Sequence, residues 1–195
     1  TMGTWMAYKG IGLVLIKNQS IANLPAEIKV FGQEWNVFGV PFSVVLMIII
    51  CIAAWFLLKY VPFFHQAFYI GENKDSANLA GINTSKFIVV TYAITGAIAA
   101  LTGVMSVSRY GSAPSTLGQG LEFKMVTALL IGGVSFSGGE GSILGAFLGT
   151  LMMQIITNAL AMFNIESNVQ NIVVGTILIA AVAIDEYNQR RRRGV

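Results

Sequence analysis

An all-α, polytopic transmembrane bundle is the fold class this sequence predicts, and three observations predict it. The 195 residues are 55% apolar and 11% charged, with a mean hydropathy of +0.70, whereas soluble domains carry about 25% charged residues. Residues 40–58 and 87–107 contain no charged side chain. These runs show no strict alternation, so they read as helices rather than barrel strands, and in lipid a helix satisfies its own backbone polar groups. About five crossings are expected, one of them short and broken by glycine.

Residues 1–16 form a first apolar segment interrupted by Lys9, whose ammonium is expected to snorkel or to face the bundle. The segment reads as the middle or end of a membrane helix, so residues 1–195 are expected to be one transmembrane domain truncated at its N-terminus. Residues 17–38 are a polar connection containing Asn18, Gln19, Pro25, Glu27, Lys29 and Glu34. Trp35 and Phe38 close it as interfacial aromatics. Pro41 fits the first turn of the next helix, which runs to about Tyr60 through Trp55 and Phe56 and is stopped by Pro62.

A polar island, residues 69–86, separates the two uncharged runs and must lie outside the lipid. Residues 73–80 can form about two helical turns. Asn73 is the expected N-cap, Asp75 and Ser76 suit the first turn, and Gly81 follows as a C-terminal stop. Ala77 and Ala80 share a small face at i, i+3 spacing beside Leu79, a surface suited to docking in a partner's groove. An ordinary solvated loop is the alternative from spacing alone.

A helix over residues 87–107 follows, then a Gly-, Ser- and Pro-rich loop over 108–119. Residues 121–136 carry Glu122 and Lys124 and then an apolar stretch with Gly132 and Gly133; as a straight helix they would span only about 24 Å. Such a crossing is tolerable when buried among helices or lining a wet cavity. Residues 143–163 are a membrane helix, 164–168 a tight polar turn, and 169–184 a last apolar run. The tail, residues 185–195, contains four consecutive arginines, Arg190 to Arg193, which favour anionic head groups and the cytoplasmic side. On that topology the inside holds Lys59, Lys74, Lys86 and the four arginines, and the outside holds Lys17, Lys29, Arg109 and Lys124.

Gly141, Gly145 and Gly149 recur at four-residue spacing, a stripe that lets a neighbouring helix approach closely. Gly96 and Gly103 are a weaker version. Residues 135–142, SFSGGEGS, superficially resemble an ATP-binding-cassette signature, but no phosphate-binding loop accompanies them. They read instead as a sharp break between half-helices that lines a transport path, or as a plain tight turn. Gln154 and Asn158, at i, i+4 on one helix face, are either interhelical glue or contacts to a polar solute. Gly132, Gly133, Ser135, Gln154 and Asn158 are thus the candidate path residues. Gln170 and Asn171 are further polar groups inside an apolar run. Cys51 is the sole cysteine and His65 the sole histidine, so a disulfide, a His-based metal site and a catalytic triad lack their usual parts. No catalytic residue, metal ligand or cofactor is expected, nor is a nucleic-acid partner.

Residues 68–86 resemble the cytoplasmic segment of sugar-type ABC importer permeases, where a G-x-N-x-x-A-A-x-x-x-G-I pattern occurs. Gly71, Asn73, Ala77, Gly81 and Ile82 fit it, and Ser76 departs from it. Residues 110–150 resemble a second family stretch, fitted by Gly118, Gly120, Glu122, Gly132, Gly133, Ser135, Gly138, Gly139, Gly141, Ser142 and Gly145. The resemblance implies about four helices ahead of residue 1. It implies a multi-pass inner-membrane permease, working by alternating access with ATP hydrolysed in partner ATP-binding subunits. The other implied partners are a second permease subunit, as a homo- or heterodimer, and an extracytoplasmic sugar-binding protein that would face residues 17–38 and 108–120. Residues 61–86 become the coupling segment, with Gly71, Asn73, Ala77, Leu79, Ala80, Gly81 and Ile82 as its contact residues. A branched-chain amino acid permease and a non-transporting membrane scaffold are the rival readings.

Overall fold

The computed structural model describes residues 2–17, 19–22, 24–29, 32, 36–37, 39–136 and 138–193. Asn18, Glu34, Trp35, Phe38 and Ser137, singled out above, lie outside the described residues. In chain order the elements are α1 (Met2–Leu15), α2 (Ala26–Lys29), β1 (Asn36–Val37), β2 (Val40–Pro41), α3 (Phe42–Tyr60), α4 (Pro62–Glu72) and α5 (Lys74–Leu79). They continue with α6 (Thr84–Tyr110), α7 (Leu121–Ile131), α8 (Ile143–Met162) and α9 (Ser167–Arg193). Among the described residues, α3, α6, α8 and the Ser167–Tyr187 part of α9 are long and apolar enough to cross a membrane. Ile49, Ile52, Leu148 and Ile179 are more than half exposed along these helices. Acyl chains are as apolar as these side chains, so a membrane helix need not bury them inside its own chain.

The chain divides into two compact units, Thr1–Ile50 with Val90–Leu117, and Cys51–Val89 with Gly118–Val195. In the first, β1 and β2 pair antiparallel with Val37 opposite Val40. Pro41 therefore sits in a short strand one residue before α3, not in the helix's first turn; its ring still pre-sets φ ahead of the helix. The two polar connections are tied together in this unit. The Ile21 and Ala113 amides each donate to the other's carbonyl at 3.1 and 2.9 Å, and the Ser115 amide donates to Ser20 Oγ at 3.3 Å. Ser108, fully buried, donates its hydroxyl to the Ile28 carbonyl. A Cβ on Gly32 would lie 2.5 Å from the Arg109 amide nitrogen, so the connection closes over the end of α6 without room for a side chain. Gly96 and Gly103 have no neighbour within 4 Å of a Cβ and so take no part in close packing among the described residues.

In the second unit α7, α8 and α9 pack around Ala128, Met153 and Val174, flanked by Ile131, Ile156 and Ile177. Helix α7 is shorter than the sequence predicts. It has 11 residues and spans about 16 Å. It stops because Gly133 adopts φ +78°, and the amides of Gly133 and Val134 donate back to the carbonyls of Leu130 and Leu129. The described residues from 132 to 136 and from 138 to 142 are then non-helical, so the break begins at the first glycine pair, not at SGGEGS. Gly141 precedes α8, whose N-cap is Ser142, and a Cβ there would meet Val134. The three-glycine helix stripe is therefore reduced to Gly145 and Gly149. Helix α9 continues through the basic residues to Arg193.

Candidate functional site

The polar island holds two helices. Pro62 does not end the chain's helical path. It opens α4 from the N1 position, the one place where proline's missing amide costs nothing. Phe63 of α4 packs on Phe87 of α6 with ring centroids 5.3 Å apart, and Phe87 is buried. Pro62 at N1 and aromatics at 63, 64 and 68 were the signals for α4, masked by reading proline only as a stop.

Asn73 joins α4 to α5. Its amide donates to the Tyr69 carbonyl at 3.2 Å, closing α4. Its side-chain oxygen accepts from the amides of Asp75 and Ser76 at 3.0 and 2.9 Å, opening α5 as the sequence predicts. At the other end Gly81 turns at φ +83°, and the amides of Gly81 and Ile82 donate to the carbonyls of Asn78 and Ala77, both at 3.0 Å. Asn78 Oδ1 accepts from the buried Thr84 hydroxyl at 2.8 Å, and Asn83 caps α6 at the Lys86 amide. A six-residue helix is too short to persist alone; here it is held from both ends. Asn73→Ala is expected to remove about 1 kcal/mol of local stability. This should appear as faster amide exchange over α5 with unchanged yield, and unaltered exchange would remove the cap from the account.

The exposed face of α5 differs from the predicted one. Ala77 is 4% exposed, turned onto its own chain, whereas Leu79 is 90% exposed. A helix lying on a support turns its smallest residue toward it, and alanine allows that close approach. Ala80 and Gly81 are exposed beside Leu79. Between α4 and α5 lies an open concavity of about 780 Å³ lined by Tyr69, Glu72, Asn73, Ser76, Ala77, Ala80 and Ile82.

The structure brings the two motif stretches together. A Cβ on Gly71 would sit 2.4 Å from the Gly139 amide nitrogen, and one on Gly138 would sit 3.0 Å from Gly71 Cα. The end of α4 thus rests backbone to backbone on the 138–139 turn. Behind that turn α7 and α8 are equally close. A Cβ on Gly145 would lie 2.1 Å from the Gly132 carbonyl oxygen, and one on Gly149 would lie 2.1 Å from the Ala128 carbonyl oxygen. Gly132, also a path candidate, packs closely here, because its α-carbon touches the helix opposite. Gly133 serves the turn, with no neighbour within 4 Å of a Cβ. Gln154 and Asn158 are exposed on α8 and face each other at 3.4 Å. Gln170 closes the 164–168 turn onto the Ile165 carbonyl at 2.8 Å.

Two residues at the site escaped the sequence reading. Asp185 Oδ2 accepts from the Phe136 amide at 3.0 Å and from the Ser135 hydroxyl at 3.2 Å, and Gln189 Nε2 donates to the same hydroxyl. Their signal was an acid and an amide at i, i+4 on one helix, directly after an apolar run.

Long apolar helices joined by a doubly capped polar segment define a multi-pass membrane protein. Residues 2–182 match the family described as branched-chain amino acid transport system / permease component, and the chain belongs to that family. Among curated proteins it is 34% identical to the D-allose transport system permease protein AlsC of Escherichia coli K12, over 95% of this chain and 56% of that protein. It is 32% identical to the probable ABC transporter permease protein YphD of the same organism, over 93% and 54%. It is 30% identical to the ribose import permease protein RbsC of Bacillus subtilis, over 95% and 58%. The chain spans about half the length of these relatives. No solved structure matches it.

Proposed function

We propose that this chain is part of the membrane-spanning subunit of an ABC importer that carries a monosaccharide by alternating access. The observation that carries the reading is α5. It is a helix capped at both ends, held between α4 and α6, with Leu79 exposed to meet a partner. That partner is a cytoplasmic ATP-binding subunit, and Leu79, Ala80, Gly81 and Ile82 form the contact. Gly71, Asn73 and Ala77 set the angle of α5 rather than touch the partner. The C-terminus is then cytoplasmic. The paired connections around Ile21 and Ala113 face an extracytoplasmic sugar-binding protein, and a second permease subunit completes the pathway. Gln154 and Asn158 are the path candidates that leave hydrogen-bonding groups exposed, and the Gly132–Gly133 break and Ser135 lie at its end. Relatives named for D-allose and ribose support a sugar as cargo. The family's printed description favours a second reading, a branched-chain amino acid as cargo.

The test is ATP hydrolysis by the permease reconstituted with its ATP-binding and binding-protein partners, against D-ribose, D-allose, D-fructose and leucine. Stimulation by a sugar is the expected result. Stimulation by leucine alone would promote the second reading, and none by any of the four would overturn the transport assignment.

A further inference from the structure

We propose that Asp185 is a positioning residue for energy coupling, latching the turn that supports the docking segment to the last membrane helix. The inference rests on the docking reading above. Around this turn the Ser135 amide donates to the Glu140 carbonyl at 3.1 Å and the Gly138 amide to the Ser135 carbonyl at 3.3 Å. On one side the backbone of Gly138 and Gly139 meets Gly71 and Glu72 of α4 with no side chain between them. Glycine-on-glycine contact of this kind has no compliant atoms, so displacement of α4 must displace the turn. On the other side a single carboxylate oxygen of Asp185 accepts both the Phe136 amide and the Ser135 hydroxyl, and Gln189 adds a third contact one helical turn further along α9. Hydrogen bonds to an ionised acceptor are stronger than neutral ones. A push on α5 therefore travels from α4 through the turn to α9, and Asp185 is the joint at which it arrives. Without that acceptor the turn still rests on α4, yet it slides past α9 instead of moving it.

The test measures sugar transported per ATP hydrolysed in proteoliposomes holding the permease and its partners, with D-ribose, D-allose and D-fructose as probes. Asp185→Leu keeps the side chain's bulk and the helix but offers no acceptor. It is expected to lower the ratio by about tenfold while ATP hydrolysis without binding protein stays unchanged. Asp185→Asn retains an acceptor oxygen and should stay within about twofold of the parent. An unchanged ratio in Asp185→Leu would overturn the proposal. So would uptake and hydrolysis falling together, the mark of a purely structural role, or an Asn variant as impaired as the Leu variant. Should Asp185→Leu fail to accumulate, Gln189→Leu is read by the same ratio, and no drop there is equally fatal. Leu79→Arg, run alongside, separates the two readings. Normal transport in that variant removes the docking assignment and this inference with it. Loss of transport there, with an intact ratio in Asp185→Leu, removes the latch alone.

Discussion

Leu79→Arg is expected to reduce uptake by at least about a hundredfold while membrane insertion and detergent-extracted yield stay at the parent level. The leucine is 90% exposed on a helix fixed by the Asn73 cap and the Gly81 turn, so among the described residues it supports no packing. Burying a leucine side chain against a partner contributes about 1.5–3 kcal/mol. An arginine in the same desolvated place loses that and adds an unpaired charge, which costs several kcal/mol more. With about 1.4 kcal/mol per tenfold, the loss of docking exceeds two decades. Uptake and pull-down of the ATP-binding subunit are the measurements. Normal values for both would sink the coupling assignment, and a scaffold with no transport role would show no such sensitivity.

The second large effect is on folding. Gly149→Leu should abolish detergent-stable protein or lower the melting temperature sharply, because a Cβ there lies 2.1 Å from the Ala128 carbonyl oxygen and 2.6 Å from the Gly132 amide nitrogen. Both are backbone atoms of α7 and its cap, so relief requires moving the helix. That opens the only buried apolar cluster among the described residues, Ala128, Met153 and Val174. Overpacking typically costs about 1–3 kcal/mol, and rigid backbone neighbours place this case at or above the top of that range. Gly175→Leu on α9 is the comparison, since nothing lies within 4 Å of its Cβ. An unchanged melting temperature in Gly149→Leu would remove the close-packing argument, and an equal loss in Gly175→Leu would show that added bulk alone is responsible.

Several elements were legible in the residues themselves because their causes are local. Uncharged runs of membrane-spanning length set α3, α6, α8 and the apolar part of α9. Asn73 and Gly81 bracket α5, since a cap oxygen and a residue tolerant of positive φ are requirements met within a few positions. The glycine spacing announced close packing on α8. Three matters were decided only by tertiary structure. Which face of α5 turns inward depends on what lies beneath it, so Ala77 is buried and Leu79 exposed although both read as one docking surface. Which glycines pack and which merely turn depends on the partner backbone; hence Gly132 joins the packing of α7 on α8, while Gly141 leaves the helical stripe for the turn ahead of it. The meeting of Gly71 with Gly138 and Gly139, and of Asp185 with Ser135 and Phe136, joins segments distant in the chain. No periodicity records such pairings, because a hydrogen bond or a backbone contact between remote residues leaves no mark at either position beyond a small or polar residue that many other roles would also accept.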